Sequence, residues 1–319
     1  MFALCRWIVA LLALCVAPQA AAQALDGPLK IVVGYVPGGS SDRAARLLAD
    51  SLGQRLGVPV LIENRSGGGG RVAARHVKAS TAADNVLLLG NPAINVIAPL
   101  MLDDVGYDPY EDFVAVSQLT RYELGVAVPH TLPVTALSHL VEWLRANPQR
   151  ANVGLPALAS LPHLLALALG EHAGLRLQPV SYRGSPPLVV DLAGGQLPVA
   201  IAALDSLLPL HDAGRVRIVA TSGANRSPQT PQIPTLQESG VAVVAEGWQL
   251  LFAPAAMPAE RIARIGAAVA DAMRDPAMQE RFRSARMTPV ASTPSQAART
   301  LVNERQRWEA AIGAGWPRP

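Results

Sequence analysis

A short β-branched run, Leu29-Lys30-Ile31-Val32-Val33-Gly34-Tyr35, is followed at once by Pro37-Gly38-Gly39-Ser40-Ser41-Asp42. The run predicts a buried strand, and the next six residues predict a turn and a helix start. Ala44, Leu48, Leu52 and Leu56 then recur at helical spacing. Residues 58–62 read as a second strand, Gly67 to Gly70 as a loop, Arg71 as the start of a short helix, and residues 86–89 as a third strand. Strand–helix–strand alternation implies parallel pairing with right-handed crossovers.

The middle of the chain repeats this theme. Residues 113–119 and 124–128 predict two strands, and residues 134–146 an amphipathic helix with Leu137, Leu140, Val141 and Leu144 on one face. A leucine-rich helical stretch covers 164–169, and strands follow near 177–180, 199–202 and 216–221. A proline-rich connection at 227–234 leads to a strand at 247–252 and helices near 259–273, 276–285 and 295–312. The pattern suggests two α/β halves around a cleft, with the late helices returning to the first half.

Composition narrows the function. Half of the 319 residues are hydrophobic and 16% are charged, which is ordinary for a globular protein with a sizeable core. Arg6, the apolar run at 7–17 and the small residues Ala20 to Ala24 read as a secretory signal. That run is about half the roughly 20 residues a membrane-spanning helix needs. Cys5 and Cys15 both fall inside the signal. A mature chain without thiols has no disulfide, cysteine nucleophile or thiolate metal site. The net charge of +3 becomes 3 − 1 = +2 once Arg6 is removed. The basic residues are scattered singly, which argues against nucleic-acid binding.

Few constellations carry chemistry. In Gly38-Gly39-Ser40-Ser41-Asp42, glycines after a parallel strand bring backbone N–H groups close to a ligand, and the helix that follows adds its positive end. The same residues also serve as an ordinary strand-to-helix turn with Ser40, Ser41 or Asp42 as cap. Asp42 reads as a cap or organiser, because it would repel an anion. Residues 63–70 lack the lysine and hydroxyl of a P-loop. The histidines show no metal spacing, and His163 at a helix start reads first as structural. Gly184-Ser185-Pro186 fails as a serine elbow. Tyr182 and Ser185 offer hydroxyl contacts or form a surface turn, and Asp205 meets a ligand amine or caps a helix. No catalytic residue, metal or cofactor is expected.

Six landmarks stand in order. They are residues 30–42 with Pro37-Gly38-Gly39, Glu63-Asn64-Arg65 followed by glycines, Tyr107-Asp108-Pro109 with Asp112-Phe113, Tyr182-Arg183-Gly184-Ser185 with Gly194-Gly195-Gln196, Arg226-Ser227-Pro228 with Ile233-Pro234-Thr235, and residues 248–254. Together they resemble the substrate-binding receptors of tripartite tricarboxylate transporters, the Bug-type receptors, over residues 28–315. The resemblance implies a type II periplasmic binding protein-like α/β fold, two lobes around a ligand cleft with hinge crossovers. On this reading residues 1–24 are a cleaved signal. Residues 25–121 and 248–319 form one lobe and 122–247 the other.

The resemblance also implies a periplasmic monomer that captures a small carboxylate for membrane subunits of such a transporter. An orphan module that presents ligand to a sensor, or a member that no longer binds, is the alternative. The candidate ligand-binding set is Gly38, Gly39, Ser40, Ser41, Asp42, Asn91, Ala93, Asn95, Ala157, Ser160, His163, Tyr182, Ser185 and Asp205.

This chain departs from the family where specificity should reside. Two family glycines become Ala157 and Ala159, a polar stretch becomes Ile201-Ala202-Ala203, and a threonine-rich loop becomes Asn91-Pro92-Ala93-Ile94-Asn95. One wall of the pocket is therefore expected to be unusually apolar. The ligand is expected to carry one carboxylate and a hydrophobic body, unlike citrate.

Overall fold

The computed structural model describes residues 25–313; the residues read as an export signal, with both cysteines, lie outside this range. Strand β1 (Leu29–Val33) pairs in parallel with β2 (Val60–Asn64) and β3 (Val86–Gly90). Helix α1 (Ser40–Leu56) makes the crossover to β2 and buries Ala44, Leu48, Leu52 and Leu56. It ends at Gly57, whose φ of +75° suits a glycine C-cap. A three-glycine turn, Gly68–Gly70, and helix α2 (Arg71–Lys78) lead into β3. The chain then makes a π-turn, Ala93–Ile97, and helix α3 (Ala98–Met101).

Strand β4 (Phe113–Pro129) is 17 residues long and joins the two lobes. Residues 113–123 pair antiparallel with β9 (Glu246–Pro254), itself antiparallel to β3. Residues 124–129 pair with β7 (Val199–Ala203) and β8 (Val216–Thr221). In the second lobe β5 (Asn152–Leu155) lies parallel to β6 (Gln178–Ser181) and β7. Its helices are α4 (Leu137–Ala146), α5 (Leu161–Ala173), α6 (Ser185–Ala193) and α7 (Leu204–Asp212).

The chain ends with α8 (Ala259–Arg274), α9 (Pro276–Ser284), a two-residue β10 (Thr288–Pro289) and α10 (Pro294–Gly313). Ile265, Val269 and Phe282 from the late helices share one buried cluster with Leu48, Leu52 and Ile31. Each such aliphatic or aromatic side chain removed from water contributes about 1.5–3 kcal/mol.

Two elements differ from the sequence pattern. Residues 113–119 and 124–128 are one strand, because Thr120 to Glu123 stay extended against β9 instead of turning. Residues 93–101 are helical, although Asn91 to Asn95 read as loop. Pro92 begins that segment and Pro99 lies in the first turn of α3, where a missing N–H is harmless.

Candidate functional site

A cavity of about 60 Å³ lies between the lobes, and none of its 18 lining residues is charged. Four helices begin on it. Gly39, Ser40 and Ser41 bring the start of α1, Ser160, Leu161 and Pro162 the start of α5, Gly184 and Ser185 that of α6, and Ala203 that of α7. The first-turn amides of a helix have no acceptor within the helix. At α1, α6 and α7 no side chain caps them. At α5 the Ser160 hydroxyl accepts from the His163 N–H.

The first-lobe wall is braced by Asp42, which is 2% exposed. Its carboxylate accepts from the Gly38 N–H and the Arg46 Nε at 2.9 Å each, and from the Asn64 Nδ2 at 2.9 Å. Burial pushes the Asp42 carboxyl up, but these hydrogen bonds outweigh it and hold the group below its ordinary value. The loop before α1 is thereby fixed to the helix and to β2.

Gln249, on β9, sets the hydroxyls. Its Oε1 accepts from Thr120 Oγ1 at 2.9 Å, and its Nε2 donates to Ser40 Oγ at 3.0 Å and Ser41 Oγ at 3.4 Å. Both serine oxygens receive a proton here, so their own protons point elsewhere. Ser40 lies close enough to Asp205 to help lower its pKa, and both serines line the cavity.

The second-lobe wall is built differently. Pro156, Ala157, Leu161, Pro162 and Ala203 are apolar, and Leu124 of β4 joins them. The polar groups of this loop satisfy one another. Ser160 Oγ donates to the Ala157 carbonyl at 2.6 Å, and the Ala159 N–H donates to His163 Nδ1 at 3.2 Å. Ala159 sits at φ +48°, a left-handed conformation costly for a residue with a Cβ.

The lobes meet around the cavity. Arg43 of α1 donates to the Asp205 carboxylate and, at 3.2 Å, to the Asp205 carbonyl. The Val36 N–H donates to the Arg183 carbonyl at 3.3 Å. Burial holds the Asp205 carboxyl above its ordinary value, and Arg43 and Ser40 offset only part of that rise.

Eight of the fourteen sequence-selected residues line the cavity: Gly39, Ser40, Ser41, Asn91, Ala93, Ala157, Ser160 and Ser185. The other six stand outside the lining. Gly38 and Asp42 are bonded to each other behind the loop. Asn95 is fully buried against β3, its Oδ1 only 2.1 Å from where a Cβ on Gly90 would sit. His163 is turned to Ala159. Tyr182 donates to Asp191 Oδ2 at 2.7 Å. Asp205 accepts from Arg43 through Oδ2, while its Oδ1 has no hydrogen-bond partner. Among the described residues no group of three or more His, Cys, Asp or Glu is placed to hold a metal ion, and no helix is long and apolar enough to cross a membrane.

Residues 44–315 match the model of the tripartite tricarboxylate transporter family receptor. The chain belongs to that family. BugT of Bordetella pertussis is 31% identical over 89% of this receptor and 88% of its own length. Rpa4515 of R. palustris, solved with adipate, is 31% identical and superposes with a TM-score of 0.85, covering 89% of this chain and 96% of its own. MatC from Rhodopseudomonas palustris, solved with bound malate, is 25% identical with a TM-score of 0.85, covering 90% and 99%. The family comprises periplasmic solute-binding receptors, and the receptor has their two-lobed α/β fold.

Sequence reasoning missed Tyr35, Tyr122 and Gln249, which also line the receptor's cavity. Tyr35 donates to the Gly69 carbonyl at 3.2 Å and accepts from Asn91 Nδ2 at 3.1 Å, and burial pushes its phenol up to about 12. A polar aromatic at the carboxyl end of an aliphatic parallel strand was a usable signal, since ligands bind at such ends. Tyr122 lies over Gly247, where a Cβ would meet its ring at 2.2 Å. Only the pairing of β4 with β9 brings these two together, and nothing in the local pattern announces it.

Proposed function

We propose that this chain is an exported receptor that holds a small carboxylate by helix amino ends and serine hydroxyls, and passes it unchanged to membrane subunits of a transporter. One observation carries the reading: four helices of nine residues or more start on a cavity that no charged side chain lines. Each helix start presents roughly half a positive charge, and α1 and α7 add first-turn N–H groups that no side chain caps. An anion gains that field without displacing a fixed counter-ion. The adipate and malate bound by two similar receptors support a carboxylate as the anion. The signal read at residues 1–24 and the periplasmic setting of the family support export. The cavity lining has no acid, histidine or cysteine to act as base or nucleophile, which supports binding without turnover.

Calorimetry on the purified receptor tests this. Carboxylates are expected to bind and their primary amides to fail. Equal binding of an acid and its amide would overturn the reading.

A further inference from the structure

The cavity is closed to a second charge as firmly as it is open to a first. Its volume is only about 60 Å³. Away from the helix starts its wall includes the apolar Leu124, Pro156 and Ala157. A carboxylate set against these three side chains would lose its hydration without a hydrogen bond from them in return, which is costly for an ion.

Close to the wall lies an ion pair, the buried Asp205 with Arg43. Asp205 is 3% exposed, stands two residues beyond the lining residue Ala203, and feels the lining residue Ser40. Arg43 is the cation beside it, and that guanidinium is already bonded to the Asp205 carboxylate and carbonyl. A ligand's second carboxylate would meet Asp205 in a low-dielectric setting, with the nearby cation already engaged.

We propose that the receptor selects a compact monocarboxylate with an apolar body, and that Asp205 is the specificity-determining residue that rejects dicarboxylates. The Arg43–Asp205 pair acts twice. It ties α1 of one lobe to α7 of the other, and it withholds Arg43 from the ligand. The inference rests on the carboxylate reading above and adds to it the number of charges the ligand carries.

Calorimetry with four probes separates the two statements: butyrate, succinamate, succinate and butyramide. Succinamate and succinate have the same size and differ by one charge. Butyrate and succinamate are expected to bind, and succinate to bind at least about tenfold more weakly than succinamate. Succinate binding as tightly as succinamate overturns this inference and leaves the carboxylate reading standing. Butyramide binding as tightly as butyrate overturns the carboxylate reading itself. No heat with either monoanion also overturns the inference, and malate or adipate binding would then keep the broader reading.

The role of Asp205 has its own readout. In Asp205→Asn the succinate-to-succinamate ratio is expected to close to within about threefold, since one negative charge has gone and Arg43 is released. Should D205N fail to fold, the pair is removed together as D205N with R43L, which leaves no lone buried charge. The same narrowing is expected there, and an unchanged ratio in a folded variant shows that Asp205 does not set the selectivity.

Discussion

The two walls of the cleft answer different problems with different chemistry. The first-lobe wall is polar and externally braced: Asp42 reaches to Gly38, Arg46 and Asn64, and Gln249 reaches from another strand to Ser40 and Ser41. The second-lobe wall is more apolar, and the loop that carries Pro156 and Ala157 is braced mainly from within, through Ser160 to Ala157 and Ala159 to His163. The difference teaches where precision is needed. A carboxylate asks for donors held within a few tenths of an ångström, so its wall is tied to three elements. An apolar body asks only for shape, which a short self-capped loop supplies.

The largest expected effect is on the braced wall. Asp42→Ala strands the Gly38 N–H and removes the carboxylate partner of the Asn64 amide and of Arg46 Nε. A stability loss of about 3 kcal/mol is expected, read as a lower urea midpoint, with ligand binding lost as the loop before α1 loosens. A variant with wild-type midpoint and affinity would mean that the loop holds its shape without the carboxylate. Ser41→Ala is subtler. It removes one hydroxyl from the cavity lining, so affinity should fall by about 1.5 kcal/mol, roughly tenfold in Kd, with stability nearly unchanged. Unchanged affinity would mean that the backbone amides alone hold the anion.

On the opposite wall the expected sign is reversed. Ala159→Gly relieves a Cβ held at φ +48°, so this change should raise stability by about 1 kcal/mol, read by the same urea midpoint. A fall in stability would mean that the alanine methyl, packed in the core cluster, contributes more than the backbone strain costs.

These walls were unequally legible in the sequence. The start of α1 was readable because glycines, serines and an aspartate directly follow a strand and precede a regular apolar stripe. That signal is local. Gln249 meets Ser40 across 209 residues and Asp205 meets Arg43 across 162, and no local period encodes such approaches. Tyr122 escaped for the same reason, since its place depends on the antiparallel pairing of β4 with β9. The apolar second wall was anticipated from Ala157 and Ala203 standing at positions the resemblance makes small or polar. His163, however, proved to be turned inward to the Ala159 N–H, because a buried imidazole takes whichever donor is nearest.

Acid should separate the walls, and this is the smallest effect expected. His163 is 3% exposed and accepts the Ala159 N–H through Nδ1, so protonation there would cost that bond and charge a buried ring. Burial accordingly holds its pKa below the ordinary 6.5. A folded-state pKa below the unfolded one gives a contribution present in full above 6.5 and lost as pH falls from there through the lowered value. Asp42 obeys the same sign in a different window. Its pKa lies below 3.8, so its contribution is intact above that value and drains away only as pH falls through the depressed one. Melting temperature followed from pH 8 to pH 3 should therefore fall in two steps, the upper from the apolar wall and the lower from the polar one. In His163→Gln the upper step should flatten while the lower remains. If both steps persist unchanged in H163Q, the mild-acid sensitivity does not come from the imidazole behind Ala159, and the second wall tolerates protons as well as the first.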